Sequence, residues 1–209
     1  MICFHKNIDA YPSSWINKCV ESIWNQSDKD FDMFEIDYGG AGSMLFGGWR
    51  QHYYSKYPFP THAHAHNFLL DTVFAMDYDC AFNLNIDDFY NLKRVEVQKL
   101  YMKAGVDVCS GNFYFVDEKD RIVRKTEFHR LQPDIESRKG HNIIGHPGVC
   151  YSRNFWLNCG KLNPGEIPKD DFNLWRRSFG KFKFKILPEY LFSYRIHSLK
   201  ICNTANLQR

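Results

Sequence analysis

Cys80-Ala81-Phe82-Asn83-Leu84-Asn85-Ile86-Asp87-Asp88-Phe89-Tyr90 carries an apolar run straight into two adjacent carboxylates and an aromatic pair. A strand ending this way delivers two negative charges to a sheet's carboxyl edge, where open α/β folds bind their ligands. Neighbouring carboxylates repel, so a divalent cation, a ligand hydroxyl or water must offset them. A second reading of Asp87-Asp88 is a solvated turn in which Asp88 caps the next helix, Asp being a favoured N-cap.

Outward from this stretch the chain alternates strands with helices. Upstream, Ile2 to Phe4 reads as a short strand. Pro12-Ser13-Ser14 then opens a helix whose Trp15, Ile16, Cys19, Val20, Ile23 and Trp24 recur at helical spacing. Phe31 to Asp37 reads as a strand stopped by Gly39-Gly40, and the glycines from Tyr38 to Gly48 predict a loop. Phe68, Leu69, Thr72, Val73 and Met76 give a helical period. Downstream, Leu92 to Ala104 is a helix closed by Gly105. Val106 to Val116 and Arg121 to Lys125 flank Asp117-Glu118-Lys119-Asp120 as a hairpin. His141 to Ser152 is a loop entering a strand. Phe172, Trp175 and Phe179 mark a helix ended by Gly180, Phe182, Phe184 and Ile186 alternate as a strand, and Tyr190 to Ile196 lead to the tail.

Composition narrows the class. The 209 residues suit one compact α/β domain with a proper core, and 17% aromatic content argues against disorder. A formal net charge of +3 and the lone basic stretch Lys181 to Lys185 give no case for nucleic acid. No apolar run reaches membrane-spanning length, and the chain opens on a strand-like run rather than a signal peptide. Seven scattered cysteines, Cys202 the last, form no Cys-x-x-Cys and no even framework, which points to a reducing, cytoplasmic setting.

Five segments in order resemble the family 2 glycosyltransferases with the GT-A fold. They are Glu21-Ser22-Ile23-Trp24-Asn25-Gln26, Phe34-Glu35-Ile36-Asp37-Tyr38-Gly39-Gly40 and Asn85-Ile86-Asp87-Asp88 in the first half. The second half supplies Lys169-Asp170-Asp171-Phe172-Asn173-Leu174-Trp175-Arg176-Arg177 and Leu187-Pro188-Glu189-Tyr190-Leu191-Phe192-Ser193-Tyr194-Arg195-Ile196-His197. The resemblance covers nearly the whole chain. It implies a GT-A-type, Rossmann-like three-layer sandwich, with a central mixed, mostly parallel sheet flanked by helices. Residues 1–104 would bind the nucleotide-sugar and 105–209 the acceptor, the segment from Phe113 to Ile144 shaping the acceptor side.

The resemblance also implies an activity: inverting, metal-dependent transfer of a hexose, with glucose the default, from a UDP-sugar. The acceptor would be a glycan, a lipid-linked molecule or a protein. Mn²⁺ or Mg²⁺ would neutralise the leaving diphosphate. Asp88 would ligate the metal with His197, and Asp87 would face the ribose or share the metal. Asn85 departs from the family's Asp, whereas Asp77-Tyr78-Asp79 precedes the strand and reads as a helix end. Asp37 would accept the base's ring N–H, or else serve as a turn residue, and His5 would stack on the base. His66 stands where the family has an arginine near the diphosphate. Asp171 would be the general base, with Asp170 able to exchange roles. Arg195 reads as a packing or ion-pair residue and Trp175 as core.

Three rival readings remain open. His62-Ala63-His64-Ala65-His66 would align three imidazoles for a zinc hydrolase if extended, but would scatter them if helical. A nucleotidyltransferase would need a Gly-rich loop after the first strand, and Phe4-His5-Lys6-Asn7 has no glycine. A relative that binds nucleotide or glycan without turnover is the third.

Overall fold

The computed structural model describes residues 1–199, so Cys202 lies outside the described residues. Among the described residues nine strands form one sheet: β1 (Ile2–His5), β2 (Met33–Asp37), β3 (His52–Lys56), β4 (Cys80–Leu84), β5 (Phe89–Tyr90), β6 (Val108–Val116), β7 (Ile122–Lys125), β8 (Cys150–Ser152) and β9 (Phe184–Arg195). The helices are α1 (Ser13–Trp24), α2 (His62–Ala75), α3 (Arg94–Lys103), α4 (Pro133–Arg138), α5 (Arg153–Cys159) and α6 (Asp170–Ser178). Strand order is β3-β2-β1-β4-β8-β6-β9-β5, with β7 paired to β6. Pairing is parallel from β3 through β4 and between β6 and β9, and antiparallel elsewhere. The expected mixed sheet is therefore present, with its parallel block in the N-terminal half. No described helix is long and apolar enough to cross a membrane.

Alternation along the strands builds two cores, because successive side chains leave opposite faces. Ile2, Phe34, Ile36 and Ala81 pack on one face with Leu69, Leu70 and Val73 of α2, Trp156 of α5 and Trp175 of α6. Cys3, Met33, Phe82 and Leu84 meet Ile16, Cys19 and Ile23 of α1 and Val95 of α3 on the other. Helices on both faces make the expected three-layer sandwich, and Trp175 is core as read. Gln26 locks α1 to the α3 start. Its amide donates to the carbonyls of Ser22 (2.9 Å) and Asn91 (2.8 Å) and accepts from the Val95 amide.

Four elements escaped the sequence reading: β3, β5, α4 and α5. In β3, His52-Tyr53-Tyr54-Ser55-Lys56 has no clean alternation; it forms at the sheet edge where Tyr53 stacks on Phe34, 4.5 Å between centroids. The two C-terminal strand segments are one strand, β9, kinked at Pro188-Glu189. Leu187 pairs with Gly111 and Tyr190 with Asn112, so two residues bulge out of the ladder. Gly111 is required there, since a Cβ would sit 2.5 Å from Leu191 Cγ and 2.8 Å from the Glu189 carbonyl oxygen. Gly105 closes α3 at φ 81°, a left-handed conformation that suits glycine.

Candidate active site

Parallel pairing brings the ends of β2, β1 and β4 to one edge, with His5 and Asp37 as register partners. Against this edge lies a cleft of about 410 Å³, walled on its far side by the segment around Gly145-His146-Pro147 and the start of α6. Of the residues singled out from sequence, His5, His62, Asn85, Asp87, Asp170 and Asp171 line it. Asp37, His66, Asp88 and His197 do not.

The Asp87-Asp88 turn is closed by one side chain. Tyr90's hydroxyl accepts from the Asn85 amide at 2.7 Å and donates to the Asn85 carbonyl at 3.2 Å. The next element is strand β5, so the helix-cap reading of Asp88 does not hold. The two carboxylates part company here. Asp88 is fully buried and its Oδ1 accepts the Arg195 backbone N–H at 2.9 Å. Asp87 faces the cleft, and its Oδ2 accepts from His197 Nε2 at 2.9 Å. The turn thus sets Asp87, not Asp88, on the cleft wall. Arg195 is buried as the anchor of this turn. Its Nε donates to the Asp87 carbonyl (3.0 Å), its guanidinium pairs with Asp120, and Trp15 lies 4.7 Å beneath it.

Among the described residues no group of three or more His, Cys, Asp and Glu side chains gathers to hold a metal. A Mg²⁺- or Mn²⁺-like cation of a nucleotide-sugar site takes one or two protein donors and fills its shell from phosphate and water. Asp87 on the cleft wall is a carboxylate donor of that kind, while His197 spends Nε2 on Asp87 and Nδ1 on the Leu199 amide and so orients that carboxylate.

Asp37 is committed to its own loop. Gly39 (2.9 Å), Gly42 (2.7 Å) and Ser43 (3.1 Å) amides all donate to its carboxylate. Burial alone would raise its pKa, but these amides together hold it below the usual range. The turn reading of Asp37 is what the geometry displays. His66 is buried in the core, 5.2 Å from Phe4 and 5.1 Å from His146 between ring centroids. Burial, then the neighbouring His146 and His62, push its pKa well below the usual histidine value, so it is neutral and out of reach of the cleft. A helix facing the core cannot present at His66 the charge that the family's arginine would.

The histidine cluster dissolves on α2. His62 faces Asp170 (Nε2 to Oδ2, 3.1 Å), His64 Nδ1 meets the Thr61 hydroxyl (2.9 Å), and His66 points inward. Residues two apart diverge on a helix. Asp77 likewise lies past the α2 end with φ 69° and pairs with Arg153, away from the cleft.

The two carboxylates opening α6 are also unequal. Burial would raise Asp170, but the hydrogen bond and charge of His62 and the charge of His146 keep it below its ordinary value. Asp171 is raised: burial dominates and Asp170 adds to it. His146, the Phe172 amide (2.7 Å) and Asn142 Nδ2 (3.1 Å) oppose this without cancelling it. Both line the cleft, and of the pair Asp171 is the one whose proton affinity is raised.

Sequence reasoning missed several lining residues: Lys6, Tyr11, Tyr38, Asn142 and His146. Burial lifts the Tyr38 hydroxyl to about 12. The Gly145-His146-Pro147-Gly148 loop signal was legible, but not that it would fold across the cleft. The buried carboxylate of Glu35 was missed too. It takes His5 Nε2 and His52 Nε2, each at 2.8 Å, and the Leu45 (2.6 Å) and Phe46 (3.2 Å) amides, tying the glycine-rich loop to β1 and β3.

No protein-family model matches the chain. Over 118 residues it is 28% identical to an uncharacterized glycosyltransferase of Methanocaldococcus jannaschii, covering 54% of this chain and 40% of that protein. Among solved structures it superposes on S. aureus TarS 1–349 in complex with UDP-GlcNAc, with TM-score 0.71 and 12% identity. That match covers 96% of this chain and 59% of TarS 1–349. The mannosyltransferase PcManGT from Pyrobaculum calidifontis, in complex with GDP-Man and Mn²⁺, gives TM-score 0.63 and 13% identity, over 96% of this chain and 57% of PcManGT. This chain thus spans only part of each relative's length. Its three layers, its mixed sheet and the cleft at the strand ends are those of the GT-A glycosyltransferase fold.

Proposed function

We propose that the chain is the catalytic module of an inverting, metal-dependent glycosyltransferase that moves a hexose from a UDP-sugar to a hydroxyl acceptor. One observation carries the reading: Asp87 and Asp171, from opposite halves of the chain, line one cleft in a GT-A fold. A cleft of about 410 Å³ suits a small-molecule ligand. The nucleotide-sugars bound to TarS and PcManGT support the donor class, and the Mn²⁺ in PcManGT supports the metal.

Each residue then has a task. Asp171 accepts the proton of the acceptor hydroxyl as its oxygen attacks the anomeric carbon. The bond from that carbon to the diphosphate breaks on the opposite face, its electron pair stays with the β-phosphate oxygen, and configuration inverts. Asp87, oriented by His197, would hold the divalent cation, which would supply Lewis-acid neutralisation of the leaving diphosphate. Arg195 and Asp88 keep the Asp87 turn in place. His62 holds Asp170 as a carboxylate beside the base.

A thermal-shift panel of UDP, GDP, CMP and dTDP, each with and without Mn²⁺, tests the reading, because a ligand of the native state alone raises stability. A shift with UDP that requires Mn²⁺ is expected. Indifference to every nucleotide overturns it.

A further inference from the structure

β6 and β9 run parallel, with Phe113 opposite Phe192 and Phe115 opposite Tyr194. Side chains two apart on a strand share a face, so Phe113, Phe115 and Tyr194 emerge together, and all three line the cleft. Their rings form a closed triangle, with centroids 5.0 Å apart for Phe113 and Phe115, 5.6 Å for Phe115 and Tyr194, and 6.2 Å for Phe113 and Tyr194. Phe113 is the floor of this wall, 6% exposed and stacked on Phe192 at 4.6 Å. Phe115 and Tyr194 are half-buried. Arg124, which does not line the cleft, lies 4.0 Å over the Phe115 ring and braces it. Rings fixed by their neighbours and left partly open in a cleft suit a ligand with an apolar face.

The wall stands next to the base. Asn142 donates to Asp171 at 3.1 Å, and three residues on, a Cβ at Gly145 would come within 3.0 Å of Phe113 Cε1. Three residues of extended chain span at most about 11 Å, the scale of a small saccharide. The wall itself is uncharged, since the cleft's Lys6, Asp87, Asp170 and Asp171 come from other elements. A pyranose has a face of C–H bonds polarised by the ring oxygens, which meets the negative face of an aromatic ring, while its hydroxyls point outward to the rim. A serine or threonine side chain has no such face. A lipid phosphate would set its charge against Asp170 and Asp171, a like-charge contact that is costly. We infer that Phe115 and Tyr194 form an acceptor subsite for a pyranose ring, so that the hydroxyl acceptor is a glycan. This inference rests on the glycosyltransferase reading above.

Saturation-transfer NMR on the protein loaded with UDP and Mg²⁺ tests it. The probes are the methyl pyranosides of glucose, galactose, mannose and N-acetylglucosamine, with ribitol as an acyclic polyol and farnesyl phosphate as a lipid phosphate. At least one pyranoside is expected to bind, with saturation concentrated on the C–H protons of one face, and to bind better than ribitol and farnesyl phosphate. Phe115→Leu and Tyr194→Leu keep apolar bulk but no ring, and each should weaken the pyranoside about three- to tenfold while UDP affinity holds. Tyr194→Phe keeps the ring and should keep the binding, an outcome that loss of bulk alone does not produce. Undiminished pyranoside binding in both leucine variants overturns the inference, as does stronger binding of ribitol or farnesyl phosphate than of every pyranoside. If a leucine variant does not fold, the other one and the wild-type ranking of probes decide. Failure of UDP and of every pyranoside to bind overturns the donor reading and this inference together, whereas UDP binding without any pyranoside response overturns this inference alone.

Discussion

His197 Nε2 and Asp87 Oδ2 lie 2.9 Å apart although 110 residues separate them in the chain. The contact joins the turn after β4 to a residue just beyond β9, and so ties the parallel N-terminal block of the sheet to its C-terminal strand. Arg195, two residues before His197, braces the same turn from below. The Asp87 carboxylate is thus oriented by groups from the far half of the chain.

Asp87→Asn should abolish the Mn²⁺ dependence of UDP binding with little loss of fold, because the side chain faces the cleft. Asp88→Asn should do the reverse. It weakens a buried, charge-assisted bond to the Arg195 amide, costing about 1–3 kcal/mol of stability, while Mn²⁺-dependent UDP binding persists. Scanning fluorimetry with and without UDP and Mn²⁺ separates the two. Loss of metal dependence in Asp88→Asn alone would return the ligand role to Asp88.

Asp171→Asn should reduce sugar transfer about 10²- to 10⁴-fold, the usual weight of a general base, while UDP–Mn²⁺ binding is kept. The raised carboxyl works as a base only when deprotonated, so the acid limb of kcat/KM should lie above the ordinary aspartate value of 3.8. The same shift has a stability sign. A carboxyl whose pKa rises on folding destabilises the native state above that pKa and is neutral in effect below the unfolded one. Asp171→Asn should therefore raise Tm at pH 7.5, with a gain that shrinks as pH falls through the raised value and is gone below 3.8. Normal transfer by this variant would remove Asp171 from its role.

Glu35→Gln should cost about 3–5 kcal/mol, because two imidazoles and two amides converge on one buried carboxylate. The Glu35 pKa is lowered on folding, so its stabilisation is present above the unfolded value and is lost as pH falls through the folded one. The stability gap between wild type and variant should be full at pH 7 and shrink below 4.5. Urea titrations at pH 7 and pH 3.5 measure it, and a gap that does not narrow in acid would refute the charged clamp.

Gly111→Ala should lower stability by about 1–3 kcal/mol, the cost of overpacking. The new methyl meets Leu191 and the Glu189 carbonyl across the β6–β9 bulge, and backbone cannot swing aside as a side-chain tip can. Leu191→Ala in the same background should relieve the side-chain clash but not the one with the carbonyl, so only partial recovery of Tm is expected.

Much of the architecture was legible because local patterns encode it. Helical spacing from Trp15 to Ile23 and the apolar run into Asp87-Asp88 identify α1 and β4 without any tertiary knowledge. The ordered resemblance likewise located Asp87 and Asp171. Elements with weak local patterns were not legible: β3 forms because an edge accepts it, and α4 and α5 are short. The site was half-legible for the same reason. Residue type placed His5, Asp87, Asp170 and Asp171 at strand and helix ends, but could not tell which of two adjacent carboxylates faces the cleft.

The sequence by itself determined the alternation of strands and helices, the carboxylates at their ends and the class of chemistry they suit. Tertiary structure decided the rest: that Asp87 rather than Asp88 faces the cleft, that Asp37 spends its carboxylate on a loop, and that His66 is buried. The reason is physical. Periodicity and capping act over a few residues, whereas the direction of a side chain and the proton affinity of its carboxyl depend on neighbours that the fold brings in from across the chain.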